Sequence, residues 1–235
     1  MQLFYNSEIS TKTQQINFDK NESRHIVKVL RKKENDILYI TNGKEWLFLA
    51  KITLASDKNC VAEIVEKQQK TKPWNYKLHI AIAPTKNNDR FEWFLEKATE
   101  IGIDEITPII CQNSERKNVK IERLEKIIQS AMKQSLKFTL PKLNPVIEFN
   151  NFINLNLAGK LCIAHCKDEN KVNLKTVIQP TENVTILIGP EGDFSSEEIK
   201  KSIEKNFTPI SLGESRLRTE TAGIVATQSI LFINE

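Results

Sequence analysis

The chain has 235 residues, of which 40% are hydrophobic and 27% charged, with a formal net charge of +4. That length supports one large domain or two smaller ones, and the balance of apolar and charged residues excludes a disordered chain. No apolar run reaches the roughly 20 residues that a membrane-spanning helix needs, and the start Met1-Gln2-Leu3-Phe4-Tyr5-Asn6 lacks the basic opening and long apolar core of a signal peptide, so a cytoplasmic location is expected.

The first 70 residues or so read mainly as short strands, at 36–40, 45–54 and 59–66. Asn42-Gly43 between the first two predicts a hairpin, since both residues tolerate positive φ. Short antiparallel strands avoid exposed edges by curling shut, so a small β-barrel is the expected product. A helix over 22–32 interrupts them. It turns Ile26, Val27 and Leu30 inward and sets Arg24, Lys28 and Arg31, at i, i+4 and i+7, on the opposite face. The segment Lys70-Thr71-Lys72-Pro73-Trp74-Asn75 reads as a linker, which divides the chain into domains 1–71 and 72–235.

The pattern then changes. A strand at 77–83 leads to a helix at 89–101, where Asp89 and Glu92 form a predicted capping box. Phe91, Phe94, Leu95, Ala98 and Ile101 supply its buried stripe, and Gly102 its C-terminal cap. A strand at 105–110 and a helix at 121–137 follow. Further strands fall at 160–166, 184–189 and 207–212, and helices at 196–205 and 221–233. Strands alternating with helices imply an α/β domain with a mainly parallel sheet, whose ligands bind beyond the carboxyl ends of the strands. The cysteines, Cys60, Cys111, Cys162 and Cys166, lack the spacing of a zinc site. They are expected to be reduced thiols, with no metal bound.

Two segments carry the chemistry. The apolar strand Ile186-Leu187-Ile188 runs into Gly189-Pro190-Glu191-Gly192-Asp193-Phe194, after which Ser195 or Ser196 caps a helix with Glu197 and Glu198 in its first turn. The glycines allow close backbone approach to a ligand, and Pro190 fixes the loop. This is neither a dinucleotide fingerprint nor a phosphate loop. The second segment, Leu212-Gly213-Glu214-Ser215-Arg216-Leu217-Arg218-Thr219-Glu220-Thr221, opens a helix of small residues, Ala222-Gly223-Ile224-Val225-Ala226. Arg218 and Glu220 are harder to explain by packing, because both charges precede a buried helix.

Together these segments closely resemble the ribosomal RNA small subunit methyltransferase E family of the knotted (SPOUT) methyltransferases. Its pattern of a strand, Gly-Pro-Glu-Gly, then Leu-Gly-x-x-x-Leu-Arg-Thr-Glu-Thr is matched by 188–192 and 212–221. His25-Ile26-Val27-Lys28-Val29-Leu30-Arg31 is similar to its PUA-like barrel, and Lys86, Arg90, Lys97, Glu100, Gly102 and Ser114-Glu115-Arg116 match its first βα units. The resemblance implies a deep trefoil knot in the α/β domain and a homodimer. It also implies methylation of uracil N3 in 16S rRNA of the assembled small subunit, near the decoding centre, with S-adenosylmethionine as donor. Ile188, Gly189, Pro190, Gly192, Leu212, Gly213, Leu217 and Thr221 are then expected to hold the cofactor. Arg218 is the expected cation at a uracil oxygen, with Glu191 or Glu220 as base or as its orienting partner, or with Glu220 simply salt-bridged to Arg218. Arg24, Lys28, Arg31, Lys86, Arg90 and Arg116 are the expected RNA contacts. The same chemistry on another RNA, and a non-catalytic ribosome-assembly factor, are the alternatives. The chain departs from the family pattern at Asp193, where glycine is frequent, at Lys133, and at Leu136-Lys137, which replaces a glycine-arginine pair.

Overall fold

The structure, a computed structural model, describes residues 1–167 and 170–235. These fall into two compact units, one of residues 1–73 with 132–140 and one of residues 74–131 with 141–235.

The first unit holds β1 (Leu3–Tyr5), β2 (Gln15–Asn17), α1 (Lys20–Arg24), a π-helical turn (His25–Val29), β3 (Ile37–Thr41), β4 (Trp46–Leu54) and β5 (Val61–Gln69). Its sheet runs β1-β3-β4-β5-β2, with β1 parallel to β3 and the other pairs antiparallel. Register shifts at Leu49/Ala50 and Ile52/Leu54 act as bulges, which sharpen the twist and curl the sheet over its core. Phe4, Leu38, Ile40, Phe48 and Ile52 fill that core, with Ile26 fully buried against them and Val27 and Leu30 half-buried.

The expected hairpin forms: β3 and β4 pair antiparallel and are joined by residues 42–45, where Gly43 and Glu45 take positive φ. The loop has further partners: Asn42 Oδ1 accepts from Lys44 N (2.9 Å), while Glu45 N donates to Phe138 O and Leu140 N to Gly43 O, each at 2.9 Å. One local expectation is corrected here. The basic helix loses its regular period. Leu30 N donates to His25 O, closing a π-type turn, and Arg31 swings to φ 54. Arg24, Lys28 and Arg31 stay exposed, but no single α-helical face carries all three. Lys28 approaches Asp57 at 3.7 Å.

Leu136 explains one departure from the family pattern. Leu136 N donates to Lys133 O and Lys137 N to Met132 O, the two bonds of a Schellman cap, and Leu136 takes the left-handed position at φ 56. Glycine suits that position, because a Cβ there costs about 1–2 kcal/mol. Leu136 is 39% exposed and contributes modest packing. Leu136→Gly is therefore expected to raise unfolding stability by about 1 kcal/mol in urea titrations. A loss of stability would show that Leu136 packing outweighs the backbone strain.

The second unit begins with β6 (Leu78–Ile82), α2 (Asn88–Ile101), β7 (Glu105–Ile110) and α3 (Ile121–Gln134). It continues with β8 (Lys142–Leu143), β9 (Ile147–Glu148), α4 (Phe149–Phe152), β10 (Lys160–Ala164), β11 (Val172–Asn173) and α5 (Leu174–Val177). It closes with β12 (Val184–Ile188), α6 (Ser196–Glu204), β13 (Thr208–Ser211) and α7 (Thr219–Asn234). The sheet order is β11-β13-β10-β12-β6-β7-β8, with β9 also on β7, and its pairs are parallel. The central strands β6 and β12 are buried at every residue, as a sheet covered on both faces requires.

The predicted capping box of α2 does not form. Asn87 caps the helix by accepting from Asp89 N (3.0 Å), and Glu92 instead takes a bidentate ion pair from Arg123 on α3. Ser195 and Glu198 do form a reciprocal box on α6. The small residues of α7 serve close packing: a Cβ on Gly223 would lie 2.6 Å from the buried Phe94 ring of α2.

Pro108 interrupts the margin of β7. Asn144 N donates to Ile106 O, so the even-numbered residues of β7 point their backbone groups toward β8 and β9. Pro108 is the member of that set without an N–H. β8 pairs with residues 105–106 and β9 with 109–110, and the chain loops out between them.

Candidate active site

Parallel strands place all their carboxyl ends on one edge of the sheet. The loops after β6, β7, β10, β12 and β13 therefore share that edge, and both motif segments lie there.

The 189–194 loop follows β12 and is held from several sides. Lys86 N donates to Glu191 Oε1 (2.9 Å), and Asn113 Nδ2 donates to the carbonyls of Gly192 (3.1 Å) and Asp193 (3.0 Å). Asp193 sits at φ 60 and uses both carboxylate oxygens on the backbone, accepting from Phe194 N and from Cys166 N, each at 2.9 Å. The left-handed backbone accounts for the family's glycine at this position. Aspartate tolerates the conformation and adds a tether to the end of β10. A Cβ at Gly189 would lie 3.0 Å from the buried Phe194 ring, a contact tight enough that the ring would have to shift.

The second segment closes over this loop. Thr219, at the start of α7, donates its hydroxyl to Gly189 O (3.0 Å) in a buried contact. Between the segments lies a cleft of about 250 Å³, lined by Ala164 and Cys166, by 188–191 with Asp193, and by 216–219 with Ala222. A second lobe of about 280 Å³ shares Ala164, Cys166, Arg216, Leu217 and Ala222 and extends along 210–215. Ile188, Gly189, Pro190 and Leu217 face the first lobe, and Leu212, Gly213 and Leu217 the second. Gly213 adopts φ 134 with open space where a Cβ would stand. Gly192 supports the loop through its carbonyl, and Thr221 lies on α7 and lines neither lobe.

The charges sort clearly. Arg218 is exposed, lines the first lobe and has no ion-pair partner among the described residues. Glu191 lines the same lobe with Oε1 engaged by Lys86 N. Glu220 is only 5% exposed and lines neither lobe. Its Oε1 lies 3.8 Å from Arg90 Nε and its Oε2 has no hydrogen-bond partner. The Arg218–Glu220 salt bridge is therefore not formed, and Arg90 stands in Arg218's place. Arg116 donates to the carbonyls of Thr85 and Lys86, bracing the loop that carries Lys86. Lys86 pairs with Glu115 at 2.8 Å, which raises its ammonium pKa.

Sequence reasoning missed Ala164, Cys166 and Asn113. The first two come from the end of β10 and the loop after it, which neighbour β12 only through strand order, and Asn113 carries no motif. The cysteines are free thiols, three of them buried and Cys166 exposed. Among the described residues no cluster of three His, Cys, Asp or Glu is placed to hold a metal, and no helix is long and apolar enough to cross a membrane.

Asp193→Ala is expected to cost about 2 kcal/mol, from the left-handed Cβ strain and two lost acceptors. Asp193→Asn, which keeps an acceptor and tolerates the conformation, should cost less than half of that. Equal melting temperatures for the two variants would show that the tether contributes nothing.

The fold and site define an RNA methyltransferase: the family models described as RNA methyltransferase domain and RNA methyltransferase PUA domain match residues 72–231 and 18–65. The ribosomal RNA small subunit methyltransferase E of Buchnera aphidicola is 34% identical over 224 residues, covering 92% of this chain and 87% of that protein. The chain belongs to the ribosomal RNA small subunit methyltransferase E family. A Porphyromonas gingivalis structure described as a probable rRNA-methyltransferase superposes with a TM-score of 0.93 at 40% identity, covering 100% of this chain and 98% of that one. The family's Neisseria gonorrhoeae structure bound to S-adenosyl methionine gives a TM-score of 0.87 at 25% identity, with the same coverage.

Proposed function

We propose that this protein transfers a methyl group from S-adenosylmethionine to N3 of a uridine in 16S rRNA of the small ribosomal subunit, in the decoding-centre region. The observation that carries the reading is the meeting of the two segments in one cleft, tied by the Thr219–Gly189 hydrogen bond. The cleft suits the cofactor. Ile188, Leu217, Ala164 and Ala222 offer apolar walls, and the Gly189 and Gly213 positions expose backbone without a side chain. S-adenosylmethionine supplies an electrophilic methyl group whose sulfur leaves neutral, so no acid is needed for the leaving group. The trefoil knot implied by the resemblance belongs to the same reading.

The demand on the chain lies at the nucleophile. Uracil N3 carries a proton at neutral pH and attacks poorly until it is lost. Arg218, exposed at the cleft without a carboxylate partner, stabilises the anion at a uracil oxygen. Of the two carboxylates that line the cleft, Asp193 has both oxygens on backbone amides, and Glu191 is the one that accepts the proton or steers Arg218. Glu220 acts indirectly, as a buried positioning residue for Arg90. Arg24, Lys28 and Arg31 grip backbone phosphates. Their triple alanine variant is expected to lower the slope of log K against log salt by about 2–3, at roughly 0.7–0.9 per phosphate contact. An unchanged slope would remove them from the RNA path.

Mass spectrometry of 16S rRNA from cells with and without the gene tests the target. The expected result is a methylated uridine that disappears on deletion and returns on complementation. A modification that persists in the deletion strain refutes the assigned target. Calorimetry without S-adenosylmethionine binding, with or without RNA, favours the assembly-factor reading.

A further inference from the structure

The second unit also holds a cavity larger than the cleft described above. This cavity has about 560 Å³ and lies at the opposite edge of the sheet, at the amino ends of β6, β7 and β12, beside the loop that Pro108 forces out between β8 and β9. The size falls within the ordinary range of small-molecule sites, about 300–1,000 Å³.

Its polar lining is a connected network. Glu105 is buried and its carboxylate is fully engaged: Oε1 accepts from Asn144 Nδ2 (2.7 Å) and Lys142 Nζ (3.3 Å), and Oε2 pairs with Lys77 Nζ. Two lysines against one carboxylate leave the rim with one excess positive charge, and both lysine side chains are more than half exposed, at 55% and 70%. Deeper in, Asn144 Nδ2 donates to Thr107 Oγ1 (2.7 Å), and that hydroxyl is in turn hydrogen-bonded with His79 Nε2, also 2.7 Å away. Burial keeps the His79 ring neutral at pH 7 by lowering its pKa to about 4.

Two polar side chains of this lining, the Thr185 hydroxyl and the Asn156 carboxamide, make no hydrogen bond among the described residues. Apolar walls from Phe152, Leu155 and Leu157 face them. Flat apolar walls, carboxamide and hydroxyl groups that can read an amide-like edge, and a cationic rim match the parts of a nucleotide in turn: ring faces, ring edge and phosphate.

We propose that this cavity is a second ligand site that takes one nucleotide, with its base against Thr185 and Asn156 and its phosphate at Lys77 and Lys142. The site is separate from the methyl-transfer cleft and does not depend on how that cleft is read. The nucleotide comes either free or as one residue of an RNA strand.

The test is titration of the full chain with the four nucleoside 5′-monophosphates, inorganic phosphate and a single-stranded tetranucleotide. Each is read by calorimetry with and without excess S-adenosylmethionine. At least one nucleotide probe is expected to bind with S-adenosylmethionine present. Lys142→Ala and Thr185→Val should each weaken that binding about tenfold, the effect of losing one charge-assisted or buried hydrogen bond. Lys142 is largely exposed and Thr185→Val keeps the shape, so both variants should keep the wild-type melting curve. Binding of the tetranucleotide alone assigns the site to RNA, and equal binding of a mononucleotide assigns it to a free nucleotide. The proposal is overturned if no nucleotide probe binds, if inorganic phosphate binds as well as the nucleotides, or if binding is indifferent to both substitutions.

Discussion

Replacing Arg218 with alanine is expected to lower the single-turnover rate of methyl transfer by about 10²–10³, with little change in cofactor affinity. The size follows from its proposed task. A cation at a uracil oxygen is felt only as N3 loses its proton and charge develops, so its removal raises the barrier and leaves ground-state binding largely intact. Structural damage is not a competing explanation. Arg218 is exposed, lacks an ion pair among the described residues, and makes no side-chain cap on α7 although it occupies the N-cap position. Arg218→Lys should recover part of the rate, because it keeps the charge and loses the planar fork. A rate unchanged in the alanine variant would remove Arg218 from the chemistry. An equal fall in cofactor affinity would move it to cofactor binding.

Acid sensitivity is the second large expected effect, and it originates far from the cleft. Burial, aided by the charges of Lys77 and Lys142 and opposed by Glu105, lowers the His79 pKa from 6.5 to about 4. Between those values the unfolded chain binds the proton that the folded chain refuses. Stability is therefore full above pH 6.5 and is lost as pH falls toward 4. For a shift of this size the total is roughly 3 kcal/mol, of which roughly 2 kcal/mol is gone at pH 5 relative to pH 7. Glu105 extends the decline. Burial alone would raise its pKa, but hydrogen bonds from Lys77 and Asn144 hold it at about 2, so its contribution fades from pH 4.5 downward. Urea titrations of the wild type and of His79→Gln at pH 7 and pH 5 isolate the histidine. Equal losses in both proteins would show that His79 does not titrate as described.

The sequence disclosed most of the second unit, because hydrophobic period and turn residues are local signals. The strand at 105–110 and the serine cap of α6 appeared as expected. Asn42-Gly43 marked the β3–β4 hairpin, but the pairing of residues 138–140 with its loop was not legible there. Errors arose where a distant partner decided local geometry. Asp89 and Glu92 have capping-box spacing, yet Asn87 caps and Arg123 claims Glu92. The basic helix was read with a period of 3.6, and a π-type turn broke it. In the site, the two motif segments were legible as a pair. What they touch was not: Ala164 and Cys166 enter through strand order, and the partner of Glu220 proved to be Arg90 rather than Arg218.

The break at Pro108 also bears on how the molecule stays apart from its own copies. An uninterrupted parallel sheet presents rows of unpaired backbone groups at its margins, which invite strand addition and aggregation. Here β8 and β9 are two residues each, separated at a residue with no N–H, and the far margin ends in the two-residue β11. An incoming strand would find only two pairable residues before the edge turns away. A single proline thus makes one side of the sheet a poor template for polymerisation, alongside the exposed charges of Lys142 and Glu148 on the same margin.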